Sequence, residues 1–239
     1  WELKPHALRP FYKALSHWCI FLTDPSTYGW KDNVHSIPPI HVLIEDVRLS
    51  DEQERKVRQE TGQLFVTELG GITTRSKLSR MAKCESSTKP QFIADMVREW
   101  PTESTIIWCR YNDEQRAIEK VLPEAASIDG NTPLADRQRL VDEFKAGRIK
   151  VLITKPKILG FGLNLQICTR QVFSGLQDSY EEYYQAVKRS NRIGSTKPLM
   201  VHIPVSDVER PMVENVLRKA MRVEADTREQ EALFRESST

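Results

Sequence analysis

The sequence lacks every compact signature of a self-contained active site. It has no GxxxxGK[ST] loop to cradle phosphates, no HExxH pair to hold zinc, and no GxSxG turn to present a serine nucleophile. The acidic pairs Asp51-Glu52 and Asp142-Glu143 fall in helical stretches, not behind a buried strand where a metal-binding pair is needed. These absences exclude an enzyme complete within the chain, and no metal site is expected in it. Cysteine is scarce: Cys19, Cys84, Cys109 and Cys168 form no CxxC pair, and no histidine stands at zinc-ligand spacing from them. That pattern suits a reducing compartment, and the cytoplasm is the expected location. Neither sign of charge dominates. With 35 basic and 33 acidic residues the net charge is +2, so binding to nucleic acid must be argued from the arrangement of charges and not from their total. No apolar run approaches the roughly 20 residues of a membrane span, and no signal peptide is visible, so no membrane partner is expected. A chain that opens on Trp1 and not on Met is expected to be a piece of a longer protein.

What is present is material for one packed domain with an appended segment: 239 residues, 39 % of them hydrophobic. Residues 1–50 are aromatic-rich, with Trp1, Phe11, Tyr12, Trp18, Phe21, Tyr28 and Trp30. A helix is predicted over residues 5–20, then a loop, then a strand over residues 40–47. Ser50 and Gln53 form a capping-box pattern that opens a charged helix. Residues 72–84 carry Arg75, Lys77, Arg80 and Lys83, which read either as a solvated basic helix or as a patch facing a nucleic-acid backbone.

From residue 89 the rhythm changes. Pro90 suits a helix start. Thr105-Ile106-Ile107-Trp108-Cys109 is a continuous apolar run, as expected of a parallel strand buried on both faces, with Cys109 a buried thiol. Helices are predicted over residues 113–122, 132–146, 179–191 and from 207 onward, with Gly147 stopping the second and Ser179 capping the third. Strands are predicted over residues 150–154, 171–174 and 199–203. Strands alternating with helices argue for a parallel α/β sheet with its body at residues 89–205, followed by a disordered tail over residues 235–239.

Three local patterns could carry chemistry. Leu159-Gly160-Phe161-Gly162-Leu163-Asn164 follows a strand, and reads as a plain tight turn or as a place where backbone approaches a phosphate. Gln185, Arg189 and Arg192 stand at i, i+4 and i+7, and on a helix would form either an exposed face or a clamp for a polyphosphate. Ile128-Asp129-Gly130-Asn131-Thr132 precedes a helix, and reads as an ordinary capped turn or as an anion site at a helix N-terminus.

In order and spacing these patterns resemble the C-terminal RecA-like lobe of SWI/SNF-type helicase-related ATPases of helicase superfamily two, in a bacterial or phage branch. Residues 105–110 sit where that family has its fourth motif. Ile128-Asp129-Gly130 with Arg137 and Phe144 matches its "IDG…R…F" stretch. Gly160-Phe161-Gly162-Leu163-Asn164-Leu165 is similar to its fifth motif, and Gln185-Ala186, Arg189, Arg192 and Gly194 to its sixth. Ser195 departs from the family's glutamine, Asn191 from a frequent aromatic, and Pro156-Lys157 from a Thr-Arg pair.

The resemblance implies a RecA-like parallel sheet flanked by helices, with a mostly helical crossover segment over residues 1–50 arriving from a first lobe. It further implies a helical linker over residues 51–88, the lobe over 89–205, and a closing helix and tail over 206–239. It implies that ATP, with Mg2+ held by the first lobe, binds between the lobes. Arg189 and Arg192 would be arginine fingers, with Gly160, Gly162 and Gln185 lining the nucleotide. Arg110, Asp129, Gly130, Asn131 and Lys157 would face the backbone of double-stranded DNA. Two alternatives stay open on the sequence: a non-catalytic module that grips nucleic acid or protein, and a helicase that separates strands of DNA or RNA.

Overall fold

The apolar run at residues 105–109 becomes the central strand of a sheet, and its four strand residues are all buried. In chain order the elements are α1 (Pro5–Ser16), β1 (Ile40–Asp46), α2 (Asp51–Thr61), α3 (Lys89–Arg98), β2 (Thr105–Trp108), α4 (Asn112–Val121), β3 (Ala126–Ser127), α5 (Leu134–Lys145), β4 (Val151–Thr154), β5 (Arg170–Phe173), α6 (Tyr180–Lys188), β6 (Leu199–Val205) and α7 (Arg210–Ser238). The computed structural model describes residues 4–19, 37–61, 80–83, 87–159, 163–176 and 179–238. It divides the chain into one unit of residues 37–216 and a second of residues 1–36 with 217–239.

The larger unit holds a six-stranded sheet in the order β1-β6-β5-β2-β4-β3. Every pairing is parallel, as the alternation of strands and helices requires. Period-two alternation sorts β2 onto two faces. Ile107 and Cys109 join Ile93, Ala94 and Val97 of α3 and Ile118 of α4 in one core. Trp108 points the other way. Its indole donates to Gln171 of β5 at 3.1 Å, and Gln171 in turn donates to the Ala186 carbonyl of α6 at 3.0 Å. Burying each such aliphatic side chain contributes about 1.5–3 kcal/mol, so the sheet is a stiff platform for the loops at its carboxyl end.

Local chemistry ends the elements where the sequence signals do. Ser50 and Gln53 close the capping box reciprocally, at 2.9 and 3.3 Å. Ser179 accepts from the Glu182 N–H at 3.3 Å. Gly147 follows α5 at φ +73°, the left-handed conformation that glycine adopts without a Cβ penalty.

Four expectations are corrected. The sheet reaches outside residues 89–205, because β1 pairs along all of β6, from Ile40 beside Leu199 to Asp46 beside Val205, and so satisfies that strand's outer edge. Helix α1 stops at Ser16, where the Leu15 carbonyl takes the N–H groups of Trp18 and Cys19. The tail expected to be disordered is helical through Ser238. In the smaller unit Phe234 of α7 is buried, and Glu236 pairs with Arg9 of α1 at 3.4 Å. Of the basic stretch at 72–84, Arg75 and Lys77 lie outside the described residues. Arg80 is exposed and paired with Asp113, whereas Lys83 is fully buried and not solvated.

Candidate functional site

Because β2, β4 and β3 are parallel neighbours, the loops after them leave the same edge of the sheet. This brings together Arg110, Asp129, Gly130, Asn131 and Lys157, which are scattered in sequence. Two side chains stitch the loops. Arg137 of α5 donates to the carbonyls of Thr132 at 3.3 Å, Asp129 at 3.5 Å and Ile158 at 3.4 Å. Lys155 donates to Asn112 Oδ1 at 2.5 Å, tying the loop after β4 to the start of α4.

Within the edge the residues differ in availability. Asp129 Oδ1 accepts from the N–H groups of Asn131 and Thr132, both at 2.9 Å, and from the Thr132 hydroxyl at 3.0 Å. Burial alone would raise its carboxyl, but these hydrogen bonds hold it below its ordinary value. Asp129 is therefore spent on shaping its own turn, and Gly130 and Asn131 are what that turn exposes. A Cβ on Gly130 would meet nothing within 4 Å, so the turn is open on that side. Lys157 is exposed and pairs with Glu182 at 3.2 Å. The Arg110 guanidinium lies 5.1 Å from the centroid of the Tyr111 ring.

A second group forms a cleft of about 560 Å³. Gln185, Arg189 and Arg192 all line it, together with Lys188, Tyr184, Asn164 and Ile37. Among the described residues the lining includes three cationic side chains and no carboxylate. The three planar side chains do not share a helix face as the spacing suggested. Helix α6 ends at Lys188 with Arg189 as its C-cap, and Arg192 sits in the turn beyond. That turn is set by Gly194 at φ +97° and by Ser195, whose hydroxyl donates to the Ser190 carbonyl at 2.7 Å and accepts from the Arg192 N–H at 3.2 Å. The cleft reunites Arg192 with the other two by turning the chain.

The two arginines are held differently. Arg192 is exposed. Arg189 is 8 % exposed; its Nη2 donates to the Pro156 carbonyl at 3.0 Å, and its guanidinium lies 5.7 Å from the centroid of the Trp108 ring. Among the described residues its Nη1 is buried without a hydrogen-bond partner, and burial pushes the guanidinium's pKa down. A buried cationic N–H with nothing to donate to is costly unless a ligand completes it. An anion in the cleft is one group that could accept from it. Gly160 and Gly162 lie outside the described residues. The segment after them runs against the arginine turn: the Leu165 N–H donates to the Arg189 carbonyl at 2.9 Å, and Gln166 to the Ile193 carbonyl at 3.2 Å.

Sequence reasoning missed the supports. Trp108 and Gln171 brace Arg189 from below, and Gln171 also donates to the Ser190 hydroxyl at 2.7 Å. A fully buried glutamine inside a four-residue strand was the available signal. Also missed was a buried charge cluster at the carboxyl ends of β5 and β6. Glu209 pairs with Lys89 at 2.5 Å and with Lys83 at 3.0 Å, and Lys89 also donates to the carbonyls of Ser174 at 3.1 Å and Pro204 at 2.8 Å. Among the described residues no group of three or more His, Cys, Asp or Glu could hold a metal ion, and no helix is long and apolar enough to cross a membrane.

Residues 88–194, which contain all of these loops and both arginines, match the helicase conserved C-terminal domain. ATP-dependent helicase fft1 of Schizosaccharomyces pombe is 30 % identical over 125 residues, covering 50 % of this chain and 13 % of that protein. Among solved structures, the C-terminal part of the Fun30 ATPase domain matches with a TM-score of 0.61 at 16 % identity, over 75 % of this chain and 89 % of that one. The Sulfolobus solfataricus SWI2/SNF2 ATPase core in complex with dsDNA matches with a TM-score of 0.53 at 19 % identity, over 69 % of this chain and 41 % of that one. The six-stranded parallel sheet is the RecA-like sheet expected from the sequence, and in fold it resembles the solved SWI2/SNF2 ATPase structures. The curated relatives come from Schizosaccharomyces pombe, Mycosarcoma maydis, Saccharomyces cerevisiae and Arabidopsis thaliana, which does not support the bacterial or phage branch that was expected. The chain spans 5–19 % of the length of these relatives, so what surrounds the helicase domain in them is far larger than what it shares with this chain.

Proposed function

We propose that this chain is the C-terminal lobe of an ATP-dependent motor that moves along double-stranded DNA, and that its cationic cleft closes on ATP held by a first lobe. The observation that carries the reading is the pair of arginines on one cationic cleft that, among the described residues, has no carboxylate in its lining and no partner for a buried Arg189 N–H. As the γ-phosphoryl group transfers, negative charge spreads over its oxygens. Donors fixed beforehand stabilise that charge without reorganising at the moment of reaction. Arg189 is such a fixed donor, braced by Trp108 and Pro156. Arg192, exposed on its turn, reaches the phosphoryl group as the lobes close. Gln185, with Gly160 and Gly162 of the sequence motif, borders the nucleotide in this reading. Mg2+ neutralises phosphate charge in such reactions, and this reading assigns its ligands to the first lobe.

The loops at the carboxyl edge form the DNA track. Gly130 and Asn131, on a turn held by Asp129 and Arg137, approach the phosphate backbone, joined by Lys157 and Arg110. The dsDNA complex formed by the Sulfolobus core supports this placement by likeness of fold. Contacts of this kind carry little sequence information. ATP favours the closed pair of lobes and hydrolysis releases it, so alternate grips move the motor along the duplex.

The testing experiment compares ATP turnover, with and without duplex DNA, by this chain alone and by the protein carrying both lobes. The chain alone is expected to be inactive, and the two-lobed protein to be stimulated by duplex. Appreciable turnover by the chain alone removes the reading. DNA-stimulated turnover absent from both assigns the lobe to binding without catalysis. For the track, Lys157→Ala is expected to weaken duplex binding equally across sequences and to reduce the slope of log affinity against log salt by about one. Its present bond to Glu182 is an exposed pair, which exchanges readily for a phosphate. An unchanged salt slope takes Lys157 off the track.

A further inference from the structure

Asn191 stands between the two arginines of the cleft and is 3 % exposed. Both ends of its amide are used. Nδ2 donates to the Pro38 carbonyl at 2.7 Å, across 153 residues of sequence, and Oδ1 accepts from Lys188 Nζ at 3.0 Å. The backbone N–H of Asn191 is also engaged, by the Val187 carbonyl at 3.1 Å. Pro38 is the second residue of the larger unit, which begins at Ile37. Ile37 itself lines the cleft. On its other side this short segment is pinned by β6, since the Leu199 N–H donates to the Pro39 carbonyl at 3.0 Å. The place where the chain joins the sheet is therefore fastened to the arginine turn by one side chain. Asn191 and Ser195 are two positions at which the sequence departs from the motif it resembles. The side chains of both hold the turn, Ser195 by closing it and Asn191 by anchoring it.

We infer that Asn191 is a positioning residue that couples residues 37–39 to the placement of Arg192; this rests on the reading of the cleft given above. A primary amide bonded to a carbonyl tolerates little displacement. When residues 37–39 shift, Asn191 follows or the bond breaks, and in both cases the adjoining Arg192 moves. The coupling is reciprocal: engagement of Arg192 by a phosphoryl group biases where residues 37–39 sit. The side chain thus lets the position of the incoming chain set whether the finger is aimed.

The experiment measures DNA-stimulated ATP turnover by the two-lobed protein carrying Asn191→Ala, Asn191→Asp, Arg192→Ala, and Asn191→Ala with Arg192→Ala. Asn191→Asp keeps the size and the acceptor for Lys188 while removing the donor to Pro38, so it serves where the alanine variant folds poorly. Both Asn191 variants are expected to lower kcat roughly tenfold to a hundredfold, as a misplaced catalytic group does, with KM for ATP and duplex affinity little changed. The double variant is expected to be no slower than Arg192→Ala alone, because a residue acting through Arg192 has nothing left to position. Unchanged kcat in both Asn191 variants, or losses that multiply in the double variant, overturn the coupling. Full turnover by Arg192→Ala overturns the reading of the cleft itself, and the coupling with it.

Discussion

On the function proposed above, replacing Arg192 by alanine is expected to lower DNA-stimulated ATP turnover of the two-lobed protein by roughly a thousandfold or more and to leave duplex affinity nearly unchanged. A thousandfold corresponds to about 4 kcal/mol of lost transition-state stabilisation. The structure makes this substitution easy to interpret. Arg192 is exposed, and its hydrogen bonds within the turn come from the backbone N–H and carbonyl, which alanine retains. Folding is then affected by about 0.5 kcal/mol or less, as for other surface changes. Arg189→Ala is a poorer test. Its side chain packs near Trp108 and satisfies the Pro156 carbonyl, so its removal confounds catalysis with stability. On the proposed reading the arginine acts on charge that develops only in the transition state, so kcat and kcat/KM are expected to fall together. A variant that raised KM while turning over normally would make Arg192 a ground-state contact, and unchanged kinetics would remove it from the site.

Replacing Glu209 by glutamine destabilises the fold by about 3–5 kcal/mol, the usual cost of breaking a buried ion pair from one side. Lys83 and Lys89 are both fully buried, and Glu209 is the carboxylate that pairs with each. Glutamine keeps the volume but leaves two ammonium groups short of their counter-charge. In denaturant titration of the chain the midpoint falls while the slope is retained, because the surface exposed on unfolding is the same.

The same cluster predicts a pH dependence. Burial alone would raise the Glu209 carboxyl, but Lys89 and Lys83 hold it at about 2, below its ordinary 4.5. A depressed carboxylate contributes stability that is fully present above 4.5 and is lost as pH falls through about 2. The wild-type chain therefore loses stability across that window, whereas the glutamine variant lacks this contribution and has nothing there to lose. The two curves converge in acid. Parallel curves would show that Glu209 is not the titrating group. On the alkaline side Lys89, pushed down from 10.5 by burial, has the same sign, and stability gains as pH rises toward 10.5.

What could be read in the sequence was what depends on near neighbours along the chain. The Ser50–Gln53 box, the Ser179 cap, the Gly147 stop and the buried run at residues 105–109 each involve groups within a few residues, and each stands where its pattern placed it. The alternation of strands with helices sufficed for a parallel sheet, since parallel neighbours require crossovers. The order of the motifs, with Asp129-Gly130 before the glycine turn and the arginines after it, was enough to suggest a helicase lobe.

The rest was decided by contacts between distant residues. Helical spacing put Arg192 on the face of α6, but the helix ends at Lys188. A hydrogen bond from Leu165 to the Arg189 carbonyl and the left-handed Gly194 turn the chain there instead. Lys83 sat in a basic stretch and read as solvated or backbone-facing; its burial goes with an ion pair to Glu209, 126 positions further along. The link from Asn191 to Pro38 likewise exists only once β1 has docked on β6. By itself the sequence determined the elements, their caps and the order of the motifs, because those are local. The tertiary structure decided which arginine is buried and which is free, and what holds each in place, because a buried charge or an unpaired donor is tolerated only where a remote partner meets it.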